Sequence, residues 1–138
     1  MIMNQRSDVY YKAGLELLSK RLYSQSIACF YYSVLQKMWY SLTVSPLRPM
    51  AYEDQNPLDE NIHERTLEDI TLRLIGRKDI EKVNELFRDK MLPLRKKADY
   101  DSALCSQEEC VECRGWCESL RRLLDERFRY RLRDCVPI

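Results

Sequence analysis

Glycine and proline are scarce in this chain, with three glycines and five prolines among 138 residues. Few positions therefore favour sharp turns, and long regular elements are expected. There is only one histidine, His63, which limits acid–base chemistry near neutral pH, where histidine is the side chain that titrates. The net charge is +1, so general attraction to nucleic acid is not expected and any basic surface must be local.

Long hydrophobic runs are also absent. No apolar run approaches the roughly 18 residues that a membrane span needs. The N-terminus shows no basic segment followed by an apolar one, so no secretory signal is expected. We therefore expect a cytoplasmic protein without a membrane partner, whose six cysteines are reduced thiols rather than a disulfide framework.

Apolar residues recur at helical spacing along most of the chain, and no stretch is typical of a strand. The first helix is predicted from about Asp8 to Lys20, with Ser7 as its N-cap. The second is predicted to begin after Ser24. Its apolar surface is broad enough to mark a central helix with several neighbours: Ile27, Ala28, Tyr31, Val34, Leu35, Met38, Trp39 and Leu42.

Residues 45–61 carry three prolines and several acidic residues, which predicts a long loop. Asn61 followed by Glu64 is typical of a helix cap with its reciprocal acid, and Gly76 is predicted to end that third helix. The fourth helix is predicted to start near Asp79. Pro93 lies inside its pattern and is expected to kink it.

The last helix has the best local signal, because Ser106 and Glu109 form a capping box. Cys110, Cys113 and Cys117 follow at helical spacing, ahead of more apolar residues. This stripe predicts core packing, since free cysteine behaves as a small buried hydrophobe, and zinc binding is the weaker alternative. The chain is thus predicted to be a single domain, residues 1–138, folded as an all-α antiparallel up-and-down bundle of about five helices.

The segment from Leu94 to Asp101 places an arginine, an aspartate and a tyrosine within two helical turns. Arg95 and Asp99 are four residues apart and share one helix face, with Tyr100 about a turn beyond Arg95. Such a cluster suits contact with a phosphate or an adjacent helix. The simpler interpretation is an ion pair that orders the helix end, with Tyr100 packed on a neighbour.

The order of the parts around this cluster is informative. An aromatic helix with Ala28-Cys29-Phe30-Tyr31-Tyr32 comes first, a helix opening near His63 follows, and the helix ending in Ala98-Asp99-Tyr100 precedes the last one. This order resembles the HEPN family, the small helical bundles found in prokaryotes and at the C-terminus of sacsin. One branch ends its fourth helix with an arginine, a short gap and Ala-Asp-Tyr, as here. The resemblance covers roughly residues 7–130.

What the resemblance implies for function depends on one departure from the family. In nuclease members, an arginine is followed after four to six residues by a histidine that serves as acid or base. Here no histidine follows Arg95, and Tyr100 stands at that spacing. A tyrosine with an ordinary pKa near 10 is a poor base at neutral pH, which argues against RNA cleavage by Arg95 and Tyr100.

Members of the Ala-Asp-Tyr branch often carry a histidine where His63 stands and often accompany a small nucleotidyltransferase. We therefore expect a non-enzymatic or degenerate module without a cofactor that forms a homodimer and binds a nucleotide, RNA or such a partner. The expected binding residues are Arg95, Lys96, Asp99, Tyr100 and His63. The alternatives are a metal-independent ribonuclease of a toxin–antitoxin or phage-defence system, and a purely structural interaction module.

The roles of His63 and of the C-terminal arginines each have two interpretations. His63 is either a capping or packing residue or a contact to phosphate. Arginines crowd the C-terminal end of the last helix, where they either offset the helix dipole or form a patch that contacts phosphate. The aromatic surplus on the second helix, with Tyr31, Tyr32 and Trp39 among its members, predicts the subunit interface of a homodimer.

Overall fold

The computed structural model describes residues 3–45, 49–50, 62–100 and 105–128, with the backbone alone for Met3 and Tyr100. These residues form five helices and no strand, which confirms the predicted all-α bundle. The helices are α1 (Met3–Ser19), α2 (Tyr23–Thr43), α3 (Ile62–Thr71), α4 (residues 77–100) and α5 (Gln107–Phe128). Three consecutive segments make up α4: Arg77–Val83, a π-helical Asn84–Met91, and Leu92–Tyr100.

Helix α2 is the centre of the bundle, as its broad apolar surface predicted. It contacts α1, α3, α5 and the last segment of α4. Each Å² of apolar surface that is removed from water stabilises the fold by about 25 cal/mol, and α2 buries apolar side chains against several neighbours. Its fully buried apolar side chains are Ile27, Phe30, Tyr31, Val34, Leu35, Met38 and Leu42.

Helix α1 begins earlier than predicted, and Ser7 is not its N-cap. Ser7 lies inside the helix and is buried. Its Oγ donates to the Ser33 carbonyl over 2.7 Å, while the Ser33 Oγ donates to the Ser7 carbonyl over 2.7 Å. This reciprocal pair joins α1 to α2. The prediction was wrong because a polar residue that bonds to a neighbouring helix has the same sequence signature as a cap.

The turn between α3 and α4 also differs from the prediction, because Gly76 does not end α3. That helix ends at Thr71 through tight backbone bonds, from the Arg73 N–H to the Ile70 carbonyl over 3.0 Å and from the Leu74 N–H to the Thr71 carbonyl over 3.3 Å. Gly76 instead directly precedes α4 in an extended conformation. Leu74, between the two helices, is nevertheless buried.

Pro93 lies within a helical stretch that continues on both sides of it. The chain remains helical from residue 77 to residue 100, and the turns ahead of the proline are π-helical. The Leu92 N–H donates to the Phe87 carbonyl five residues back. This wider turn moves the preceding carbonyls away from the proline ring, which would clash with them in an α-helix.

Helix α5 agrees with its sequence pattern. The Ser106 N–H donates to the Glu109 carboxylate over 2.9 Å, and the Glu109 N–H donates to the Ser106 hydroxyl over 3.1 Å, which confirms the capping box. Cys110, Cys113 and Cys117 are buried free thiols in the core stripe. In the described ranges, no group of three or more potential ligands is arranged to hold a metal ion.

Little of the predicted loop at 45–61 belongs to the described residues. Ser45 is buried, Pro49 is exposed, and the Met50 N–H donates to the Leu42 carbonyl over 2.9 Å. The predicted cap at Asn61 lies outside the described residues. Over the part of the chain that is described, no helix is long and apolar enough to cross a membrane.

Candidate functional site

The Arg95 side chain extends from the last segment of α4 into a cage made by two consecutive tyrosines of α2. Its Nη2 donates to the Tyr32 hydroxyl over 2.7 Å. The centre of its guanidinium lies 5.3 Å from the ring centroid of Tyr31 and 5.4 Å from that of Tyr32. At these distances the aromatic faces attract the cation. The Arg95 side chain is only 14% exposed. The cage therefore holds a charged group in one place near the surface.

Asp99 completes this cage from the same helix. Its Oδ2 lies 2.8 Å from Arg95 Nε, which confirms the predicted pair. This Nε is buried beside the carboxylate, so solvent does not reach it. Arginine offers five N–H donors in a fixed plane. The ion pair therefore orients the guanidinium and leaves it with the capacity to bind a further acceptor.

Burial alone would lower the pKa of Arg95, but the Tyr32 phenol and the Asp99 carboxylate raise it, and the net result is a raised pKa. Arg95 therefore remains a cation at every physiological pH. A permanent cation held by aromatic rings and a carboxylate is a suitable partner for a planar or tetrahedral oxyanion.

His63, the second residue of α3, joins this cage through Tyr31. The Tyr31 hydroxyl lies 2.5 Å from His63 Nδ1, and the two ring centroids are 5.5 Å apart. Tyr31 is fully buried and stacks on Phe87 of α4 at 5.1 Å. Packing on three helices therefore fixes the position of the Tyr31 hydroxyl.

The protonation of this pair follows from its surroundings. Burial strongly raises the pKa of Tyr31, so its phenol keeps its proton. Burial, followed by the charges of Arg95 and Lys96, lowers the pKa of His63, so its imidazole is neutral at pH 7. In the described structure, His63 Nδ1 is the one hydrogen-bond partner of the Tyr31 hydroxyl, so Tyr31 donates to Nδ1. His63 therefore carries its own proton on Nε2.

The structure brings together most of the predicted site residues. Arg95 and Asp99 are in direct contact, and the charges of Arg95 and Lys96 reach His63. Lys96 is exposed, whereas the Lys97 ammonium lies 2.8 Å from the Glu109 carboxylate of α5. Tyr100 is the last residue of α4, and its side chain lies outside the described part.

Sequence reasoning missed the two tyrosines that form the cage. Tyr31 and Tyr32 were interpreted as core and subunit-interface residues, and Tyr31 is indeed buried. The available signal was chemical, since a buried phenol needs a hydrogen-bond partner. Two adjacent tyrosines on a central helix could thus have been paired with the arginine and the histidine on its neighbours.

The C-terminal arginines serve partly as ties between helices. Arg121 lies over the Tyr11 ring at 4.6 Å and forms an ion pair with Asp8 of α1, while Arg127 forms one with Asp79 of α4. These contacts agree with a structural role for the part of the run that is described. Arg129, Arg131 and Arg133 lie outside the described residues.

Comparisons with known proteins add no relative to this description. No family model matches the chain, and neither a curated protein nor a solved structure matches it. The HEPN resemblance consequently depends on the motifs quoted from the sequence, and the functional argument depends on the geometry around Arg95.

Proposed function

We propose that this protein is a non-enzymatic binding module that holds the phosphate of a nucleotide or RNA ligand at Arg95. The supporting observation is the Arg95 guanidinium itself, which Tyr31, Tyr32 and Asp99 hold in place while its side chain stays 14% exposed. A cation ordered before the ligand arrives loses little side-chain entropy on binding. Arginine also matches phosphate geometry through paired N–H donors.

The charges around the cage support an anionic ligand. Lys96 is exposed beside Arg95, and both charges act on His63 near the start of α3. The first turn of a helix adds positive potential from its main-chain N–H groups. Lys97 adds little, because Glu109 offsets its charge. Asp99 and the C-terminal end of α4 offset part of this charge, so the excess positive potential comes from Lys96 and the start of α3.

The same geometry argues against catalysis. A general base must accept a proton near neutral pH, yet His63 has its Nδ1 occupied by Tyr31 and its proton on Nε2. The Tyr31 phenol has a raised pKa and keeps its proton. Neither group is a base in this arrangement, so we expect ligand binding without RNA cleavage.

A metal-independent ribonuclease is the second candidate, and one observation favours it. His63 returns to the neighbourhood of Arg95 in space, although it precedes it by many residues in the sequence. Incubation of a fluorescently labelled RNA in the presence of EDTA tests this candidate. We expect no cleavage above background; cleavage that disappears in both Arg95→Gln and His63→Gln would favour the ribonuclease.

Assembly with a second copy, or with a nucleotidyltransferase partner, is part of the proposal. Val9 and Tyr10 on α1 are 52% and 36% exposed, and the Tyr10 ring lies 5.8 Å from that of Tyr32. Apolar exposure beside the cage suits a twofold interface. Light scattering should give twice the chain mass of 16.6 kDa, and a monomer at micromolar concentration would contradict this part.

Calorimetric titration with inorganic pyrophosphate tests the proposed function. Arg95→Gln removes one positive charge from the cage. The control variant Lys97→Gln removes one positive charge from the same helix, at a residue that is paired with Glu109 of α5. Hydrogen bonds between charged groups contribute about 1.5–3 kcal/mol, so we expect Arg95→Gln to weaken binding by about tenfold or more. The control should stay within about threefold. Equal losses, or no binding by the wild type, would contradict the proposal.

A further inference from the structure

A cleft of about 240 Å³ opens between α3 and the π-helical segment of α4, on the side of His63. Leu67 of α3 and Phe87 and Leu92 of α4 give it an apolar lining. His63 belongs both to this cleft and to the Tyr31 contact next to Arg95. The cleft is therefore adjacent to the cage through a single side chain, and nothing in the proposed function uses it.

The size and shape of the cleft limit its occupant. Pockets for drug-sized ligands measure about 300–1,000 Å³, so this cleft has room for one small ring system. The half-buried His63 imidazole is the flat side chain of the lining that a flat aromatic ligand can contact, while the fully buried Phe87 ring, stacked on Tyr31, closes the floor of the cleft. A sugar alone would leave the apolar side chains uncovered, and an alkyl chain would leave the polar groups at the rim without partners.

The polar groups at the rim favour a particular pattern of donors and acceptors. Glu64 and Glu68 are exposed, lie one helical turn apart on α3 and offer only acceptor oxygens at neutral pH. Arg88 on the opposite wall forms an ion pair with Asp89 at 2.8 Å, which offsets its charge. His63 Nε2–H and the Asn84 amide supply neutral donors. The cleft thus matches a ring that donates to carboxylates on one edge and accepts elsewhere.

We propose that the α3–α4 cleft binds the amino-bearing base of the ligand whose phosphate lies at Arg95, with Glu64 and Glu68 accepting from the exocyclic amine. This assignment rests on the function proposed above. It selects cytosine, adenine and guanine over uracil, because uracil presents a carbonyl where cytosine presents the amine. A carbonyl facing two carboxylates loses hydrogen bonds and adds repulsion.

Comparison of cytidine and uridine 5′-monophosphates by calorimetric titration tests the assignment. A carboxylate that accepts from a cytosine amine discriminates by about fivefold or more, so the wild type should bind the cytidine nucleotide at least about fivefold more tightly. The double variant Glu64→Gln/Glu68→Gln should lose most of this preference. Equal affinities in the wild type, no binding of either nucleotide, or an unchanged preference in the double variant would overturn the assignment.

A variant that fills the cleft tests this inference independently of the proposed function. Glu68→Trp places a large ring at the mouth of the cleft, and Glu112→Trp makes the same change on an exposed position of α5. Glu68→Trp should weaken the cytidine nucleotide about fivefold while leaving pyrophosphate binding unchanged, and Glu112→Trp should change neither. Loss of pyrophosphate binding in Arg95→Gln with no effect of Glu68→Trp would overturn the cleft alone. A wild type that fails to bind pyrophosphate yet prefers the cytidine nucleotide would overturn the phosphate assignment alone.

Discussion

Gly14 is a position where α1 packs closely against α2. A Cβ at this residue would lie 2.6 Å from Cε1 and 2.7 Å from Cδ1 of Phe30, far inside normal van der Waals distance. Phe30 is fully buried and packs on Tyr11 with ring centroids 5.9 Å apart, so it has little room to move. The Gly14 carbonyl also accepts from Ser26 Oγ over 2.6 Å, which ties the backbone to α2.

Gly14→Ala should therefore destabilise the protein even though alanine favours helix. Helix propensity returns about 1 kcal/mol, whereas overpacking a tight core costs about 1–3 kcal/mol. A clash this short falls in the upper part of that range, so we expect a net loss of about 1–2 kcal/mol. Gly115→Ala is the matched control, because Gly115 lies exposed within α5 with no atom within 4 Å of its built Cβ. It should gain about 0.5–1 kcal/mol.

Urea denaturation followed by circular dichroism measures both variants on one scale. A difference of about 1.5–3 kcal/mol between them corresponds to about 0.5–3 M in the urea midpoint for a slope of about 1–3 kcal/mol per M. If Gly14→Ala is as stable as Gly115→Ala, the close approach of α1 and α2 at Phe30 is refuted.

Two further predictions concern buried polar groups. The folded state lowers the pKa of His63 below its ordinary value of 6.5, so the unfolded chain binds the proton first as the pH falls. Stability should thus be intact above pH 6.5 and decline below it, and His63→Gln should flatten this part of a denaturation-versus-pH profile. The Lys37 ammonium is 4% exposed and lies 2.8 Å from Asp125, which is 54% exposed. Asn4 Oδ1 also accepts from this ammonium over 2.5 Å. Asp125→Ala should cost about 2 kcal/mol, because the buried cation keeps only this neutral acceptor, whereas Lys37→Met should cost under about 1.5 kcal/mol in the same thermal-melting assay. The reverse order would contradict this asymmetry.

The fold was largely predictable because its main determinants are local and periodic. The stripe on α2 identified the central helix, and the Ser106–Glu109 capping box located the start of α5. The errors came where one residue type serves two purposes. Ser7 bonds to a neighbouring helix instead of capping its own, and Gly76 directly precedes α4 instead of ending α3.

The candidate site was predictable only in part, for a different reason. Arg95 and Asp99 are four residues apart on one helix, so their contact follows from helical geometry. The approach of Tyr32 and His63 depends on how α2 and α3 pack against α4, and such long-range proximity has no signature in a single sequence. A histidine and an arginine both need hydrogen-bond partners once they are partly buried, but the packing of the helices determines which residues become those partners.

Resolved NMR signals of arginine Nε–Hε groups give the most direct test of the central claim, that the caged Arg95 guanidinium binds phosphate. Arg121 provides an internal control, because its guanidinium lies over Tyr11 and pairs with Asp8 on another part of the surface. On titration with pyrophosphate, the Arg95 Nε–Hε signal should shift and saturate with the calorimetric affinity, while the Arg121 signal should stay in place. An Arg95 signal that does not move, or that moves no more than that of Arg121, would contradict the account.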